Sequence, residues 1–236
     1  MPKARHYVLG YTFYANAFTQ VKAEAYYQDL YDVGTEDDPT STFSMLNLDF
    51  GYLDFPLVTQ GTGKNYGVEL TVERFFKNSY YYLFTGSLYE SKYTGGDGIE
   101  RNTTYNGNYA ANFLFGKEFK VGKNLKQNTL GLNAKVTYFG GRLITPLNVE
   151  ASRQKGEGVY YEGRANSRRS DDIFQVNASI TYRINREKTS HSFKLDVQNA
   201  TNNQAKIYEY WDEYNQKPEH STQLAIIPNI IYRIEF

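Results

Sequence analysis

Residues 129–139 read Thr129, Leu130, Gly131, Leu132, Asn133, Ala134, Lys135, Val136, Thr137, Tyr138, Phe139. Leu130, Leu132, Ala134, Val136 and Tyr138 are apolar, and Gly131, Asn133, Lys135 and Thr137 separate them. Period 2 over this length predicts a β-strand with one apolar and one polar face. Phe174, Val176, Ala178, Ile180, Tyr182 and Ile184 repeat the pattern against Gln175, Asn177, Ser179, Thr181 and Arg183. Tyr66, Val68, Leu70 and Val72 alternate with Gly67, Glu69, Thr71 and Glu73, and Phe193, Leu195 and Val197 with Lys194, Asp196 and Gln198. The last stretch sets Ile230, Tyr232, Ile234 and Phe236 against Asn229, Ile231, Arg233 and Glu235. No apolar stripe of useful length follows the 3.6-residue period of a helix.

Extending this reading predicts nine strands, at 5–14, 18–31, 64–76, 80–92, 105–119, 128–140, 172–185, 191–201 and 221–236. Several exceed the ~5–6 residues usual in soluble sheets and match the ~9–11 residues of a tilted membrane-crossing strand. The connections between them alternate short and longer without exception. Lys77-Asn78-Ser79, Gly122-Lys123-Asn124 and Asn185-Arg186-Glu187-Lys188 supply turn formers. The longer connections, 32–63, 93–104, 141–171 and 202–220, are polar and Gly-rich. An antiparallel up-and-down sheet with short turns on one rim and long loops on the other is the pattern of outer-membrane barrels. A soluble lipocalin-like barrel shares the up-and-down order. Residues 41–58, with Phe43, Leu46, Leu48 and Phe50, have the composition for an extra hairpin above the membrane.

The 236 residues carry 26 Lys+Arg against 26 Asp+Glu, a formal net charge of 0, which argues against a nucleic-acid partner. The absence of Cys excludes disulfides, thiolate metal sites and a Cys nucleophile. Mean hydropathy is −0.63, and no apolar run approaches the ~20 residues of a membrane-spanning helix. The 23 Tyr and 15 Phe need a structural reason. Many fall near strand ends, as do Tyr66, Phe75, Phe76, Tyr80, Tyr81, Phe115, Phe119, Tyr138, Phe139, Tyr182, Tyr232 and Phe236. Rings with one apolar and one wet end suit a membrane interface. The polar face holds Lys22, Glu24, Gln28, Glu69, Glu73, Lys135, Arg183, Lys194 and Asp196.

Specific segments resemble a known family. Gly61 to Glu73, reading GTGKNYGVELTVE, and Tyr82 to Asn108, reading YLFTGSLYESKYTGGDGIERNTTYNGN, are similar to late strands of Bacteroidetes-type TonB-dependent receptors. Tyr138-Phe139-Gly140-Gly141-Arg142 with Thr145-Pro146, and Asp196 to Asn202, resemble that family's closing strands. Tyr232, Ile234 and Phe236 resemble the C-terminal aromatic signal read by the barrel assembly machinery, without the upstream glycine many such signals carry. The resemblance implies a barrel of about 22 strands plugged by an N-terminal domain. It implies an outer-membrane location, outer-membrane lipid as a neighbour, and capture of a siderophore, cobalamin, glycan or peptide. TonB would act only through the plug. Nothing in residues 1–236 resembles the plug, the TonB-contacting box or a signal peptide. The expectation is therefore an all-β, antiparallel up-and-down transmembrane barrel, partial, with about nine strands of a larger one. The alternatives are a small stand-alone pore or adhesin barrel and a soluble β-sheet binding module.

No enzyme motif or cofactor is expected. Gly61-Thr62-Gly63-Lys64 lacks the spacing and following Ser/Thr of a phosphate loop. Glu36-Asp37-Asp38 and Asp171-Asp172 lack the ordered oxygens of a calcium loop, and His6, His191 and His220 show no metal spacing. Arg164, Arg168 and Arg169, with Arg153 and Lys155, form one basic cluster, largely offset by Glu150, Glu157, Glu162, Asp171 and Asp172. Tyr26, Tyr27, Tyr31, Tyr160, Tyr161, Tyr208, Tyr210 and Trp211 gather at the long-loop rim. Tyr210, Trp211, Arg168 and Arg169 are the expected ligand contacts.

Overall fold

The computed structural model describes residues 1–48, 51, 53–122 and 128–236. The strands are β1 (Lys3–Asn16), β2 (Thr19–Glu36), β3 (Leu57–Lys77), β4 (Tyr80–Thr94), β5 (Glu100–Asn102), β6 (Tyr109–Val121), β7 (Asn128–Phe139), β8 (Leu143–Ile144), β9 (Arg168–Arg169), β10 (Ile173–Asn185), β11 (Ser190–Gln198), β12 (Lys206–Asp212), β13 (Lys217–Thr222) and β14 (Ile227–Glu235). Among the described residues one α-helix, α1 (Val149–Lys155), lies between β8 and β9. A single antiparallel sheet runs β1-β2-β3-β4-β6-β7-β10-β11-β14, with β5 folded back on β4. These nine long strands are the nine the periodicity predicts. They form a partial, up-and-down antiparallel barrel wall.

Cross-strand register aligns the alternation into rows. Phe13, Val21, Val72, Phe84, Phe113, Val136 and Val176 form one continuous row across seven strands. One residue along the strands, Thr12, Lys22, Thr71, Thr85, Asn112, Thr137 and Gln175 form the next, on the opposite face. A one-residue slip would exchange the two faces, so the pattern fixes the pairing. All nine charged or amide residues assigned to the polar face share that side. The apolar face carries an aromatic row at each end. Tyr7, Tyr27 and Tyr66 stand in register at one end, with ring centroids 6.5 and 6.3 Å apart. Phe119, Leu130, Tyr182, Phe193 and Tyr232 stand at the other. Not every aromatic follows this plan. Tyr81 and Phe139 fall on the polar face by register, and Tyr81 donates its hydroxyl hydrogen to Asn133 Oδ1 at 2.8 Å.

The turns explain the rim asymmetry. Ala17-Phe18 and Asn78-Ser79 are two-residue hairpin loops, and both Asn78 and Ser79 take positive φ, 56° and 64°. That geometry matches the twist of the flanking strands. Arg186–Thr189 closes the β10–β11 turn through an Arg186 N–H to Thr189 carbonyl bond of 2.8 Å. Lys123 and Asn124, expected in the remaining short turn, lie outside the described residues. At the other rim β2 and β3 reach 18 and 21 residues, well beyond the ~9–11 needed to cross a bilayer. Their ends project past the Tyr27–Tyr66 row.

Boundaries differ from expectation in this upper region. Residues 41–48 hold a 3-10 turn at Met45–Asn47 rather than a strand, and Phe50 lies outside the described residues. The strand expected from 105 begins at Tyr109, because Asn106 and Asn108 are used as side-chain struts and Asn108 takes φ 68°. The expected strand 221–236 splits, its first part pairing with β12 as the separate hairpin β12–β13. Helix α1 was hidden inside a polar loop. Asn148 caps it by accepting from Ala151 N–H at 3.1 Å, and Gly156 ends it at φ 77°; short caps of this kind need no apolar stripe.

Strand direction adds one constraint. Short turns follow β1, β3, β6 and β10, so these strands all run toward the turn rim, and β14 runs the same way. The two edges of the sheet, β1 and β14, are therefore parallel. Antiparallel closure of the ring requires an odd number of further strands.

Candidate functional site

Long loops bring their residues together above the wall, and there the chain builds its core. The buried apolar side chains among the described residues are Val33, Tyr93, Leu143, Leu147, Ala205 and Trp211. Every one lies at or beyond the upper strand ends. Most buried polar groups lie there too, including Thr35, Ser44, Thr103, Asn106, Ser152 and Asn199.

Hydrogen bonds lace the four loops into one layer. The β2–β3 loop meets the β4–β6 loop through Asn47 Oδ1, which accepts from Thr104 N–H at 2.9 Å, and through Asp97 N–H to Ser41 carbonyl at 3.1 Å. The β4–β6 loop meets the β7–β10 loop through Leu143 N–H to Thr104 carbonyl, 2.9 Å, and Asn166 Nδ2 to Asn102 carbonyl, 3.0 Å. The β7–β10 loop meets the β11–β14 loop through Asp171 N–H to Lys206 carbonyl, 3.1 Å, and Lys206 N–H to Asp171 Oδ2, 3.0 Å.

Close approach is possible because of Gly61 and Gly63. A Cβ on Gly63 would stand 2.4 Å from Leu46 Cδ1, and one on Gly61 would stand 2.5 Å from Thr35 Cγ2. The Gly-Thr-Gly-Lys segment thus lies inside β3 as a docking surface for the β2–β3 loop, and Lys64 pairs with Glu100 at 2.5 Å.

Two carboxylates pin the layer. Asp97 receives Arg101 in a bidentate pair, 2.9 and 2.7 Å, and the guanidinium holds its carboxyl below the usual carboxylate range. Asp172 accepts from the Tyr109 hydroxyl at 2.5 Å, the Tyr138 hydroxyl at 3.0 Å and Gly141 N–H at 3.1 Å. Those donors, the Tyr109 hydroxyl foremost, lower its pKa.

The expected contact residues are spread through this layer. Arg168 pairs with Glu209. Arg169 donates to Gly107 carbonyl at 3.0 Å and Gly141 carbonyl at 2.9 Å, and also to Asn108 Oδ1. The guanidinium of Arg164 stands 5.8 Å over the Tyr161 ring, and Arg153 pairs with Glu150 at 3.3 Å. The basic cluster of the sequence is thereby dispersed among separate partners. Tyr210 is exposed and makes a ring contact with Tyr208 at 5.9 Å. Trp211 is buried, its indole N–H without an acceptor among the described residues. Arg168, Arg169, Lys206, Tyr208, Glu209 and His220 border a cavity of about 210 Å³.

A larger cavity, about 510 Å³, opens between the β2–β3 and β7–β10 loops. Glu36, Asp38 and Glu162 supply charge, and Phe43, Phe55 and Tyr93 supply rings. By register Tyr93 lies on the polar side of β4, so the cavity sits at the mouth of the lumen. Sequence reading missed it, because Tyr93 and Phe43 follow no period and their neighbours come from three loops.

Among curated proteins nothing matches. Residues 2–202 match the family model described as TonB dependent receptor-like, beta-barrel. The solved ferric yersiniabactin uptake receptor FyuA from Yersinia pestis is similar in fold, with a TM-score of 0.65 at 16% identity. The match takes in 100% of this chain and 30% of that receptor. With nine strands in register, an exposed apolar face and a family match over most of its length, the chain belongs to the TonB-dependent receptor-like β-barrel family.

Proposed function

We propose that residues 1–236 form the C-terminal part of the barrel of an outer-membrane receptor of the Bacteroidetes type, which takes up a scarce nutrient with energy delivered through TonB. The observation that carries the reading is the division of the sheet into a lipid-type face between two aromatic rows and a polar lumen-type face. In this reading the remaining strands and a plug domain are partners, and TonB is reached through that plug. A siderophore, cobalamin, a glycan or a peptide is the cargo class. The parallel edges support it, since they call for an odd number of partner strands. Two copies of this sheet would meet only in parallel pairs, which disfavours a barrel of two identical halves.

Tyr210, Trp211, Arg168 and Arg169 contribute to the ligand-facing layer in this proposal. Tyr210 is the member placed for direct contact, and the other three hold the β12–β13 hairpin and the loops around it. Tyr232 and Ile234 face the apolar side of β14 with Phe236 just beyond it, a placement suited to recognition by the barrel assembly machinery. Catalysis has no part in the proposal.

Expression in a Gram-negative host followed by fractionation tests it. The expected result is recovery with outer membranes and heat-modifiable migration. A soluble monomer at high concentration would overturn the reading.

A further inference from the structure

We propose that the 510 Å³ cavity at the lumen mouth receives a solute bearing amine or guanidinium cations beside an apolar face, and disfavours anions. The inference rests on the receptor reading above and narrows its cargo.

Two independent features of the lining point to positive charge. Glu36, Asp38 and Glu162 come from both sides of the cavity, and among the described residues no Lys or Arg lines it. Among the described residues none of these three carboxylates forms an ion pair. Glu36 accepts from the Ser41 hydroxyl at 2.7 Å, and Asp38 accepts from Thr40 N–H and the Thr40 hydroxyl, both at 2.7 Å. Those Thr40 bonds keep Asp38 ionised by lowering its pKa. Arg101 is paired with Asp97, and the Arg164 guanidinium lies over the Tyr161 ring outside the lining.

The second feature is aromatic. Phe43 and Phe55 meet edge to face, with centroids 5.0 Å apart at 83°, and Tyr93 is 1% exposed beside them. Ring faces attract cations through their quadrupole and also shelter an apolar stem. Ser44 is buried in the same lining, and its side-chain oxygen accepts from Leu46 N–H at 3.3 Å. The cavity volume lies within the ~300–1,000 Å³ of small-molecule sites.

Amines of this kind occur on amino sugars and on basic peptides, and the probes separate the two. The full chain, extracted from membranes in detergent, is dialysed against labelled glucosamine trimer, N-acetylglucosamine trimer, trilysine and triglutamate. At least one cationic probe should bind tenfold or more tightly than its neutral or acidic counterpart. The favoured member of each pair identifies sugar or peptide as the source. The Glu36→Gln/Glu162→Gln double variant should weaken that binding about tenfold while keeping heat-modifiable migration, and Asp38→Asn provides a second variant. Equal binding of cationic and non-cationic probes, preference for triglutamate, no binding of either cation, or unchanged affinity in folded variants would each overturn the inference. In those cases the chain still fractionates with outer membranes; a soluble chain instead defeats the receptor reading itself.

Discussion

In the wall, Leu9 and Ile230 are 79% and 87% exposed, whereas in the rim Val33 and Tyr93 are 1% exposed. Both regions are rich in apolar residues and antiparallel pairing, yet they satisfy them differently. The wall closes its hydrogen bonds strand to strand and leaves its apolar side chains exposed, as a face turned to lipid would. The rim folds its apolar side chains inward and laces its loops as a water-soluble domain does. One chain therefore follows two sets of packing rules, and the boundary between them is the Tyr7–Tyr27–Tyr66 row.

The largest expected effect falls in the rim. Tyr93→Ala should cost about 3–5 kcal/mol of local stability, read as faster hydrogen exchange in loop amides with wall amides unchanged. Uniform loosening of both regions would mean that they are one cooperative unit. Next comes the wall. Val136→Arg, at the centre of the apolar face, should cost about 2–4 kcal/mol and lower the yield of heat-modifiable protein, while Thr137→Arg on the polar face should do so much less. Equal losses would remove the distinction between faces.

Acid should separate the regions further. Asp97 and Asp172 have lowered pKa values, so their stabilisation is complete above the ordinary Asp value of about 3.9. It is lost as pH falls below that value through their lower folded-state values. Limited proteolysis across this range should show the loops opening first, and Asp97→Asn should reduce the pH dependence. The smallest effect belongs to the turn rim. Ser79→Gly should stabilise by about 0.5–1 kcal/mol, since Gly takes the positive φ without steric cost; thermal unfolding in detergent measures it.

The same boundary separates what was legible in the sequence. The wall strands could be read because alternation repeats along them and one slip reverses both faces. Phe174 to Ile184 needs no knowledge of its neighbours to be placed. The rim offers no such period. Asn106 is buried because Glu90, Ser91 and Asn102 converge on it, and those residues reveal nothing of this in their own order. Trp211 was conspicuous as the sole Trp, but its burial depends on the β7–β10 loop folding against β12. Asn106-Gly107, Gly95-Gly96 and Gly140-Gly141 were the available hints, since paired small or turn residues mark places where backbones meet.

The overhang of β2 has a thermal consequence. Glu36 lies nine positions beyond Tyr27, roughly 30 Å of strand at ~3.3 Å per residue, so in the proposed receptor the loop layer stands clear of the bilayer. Burial of its apolar side chains depends on water, and that force weakens on cooling and in urea. In the proposed receptor the wall is solvated by hydrocarbon and lacks that dependence on its outer face. Chilling or mild denaturant should therefore melt the mouth of the barrel while its staves stay paired.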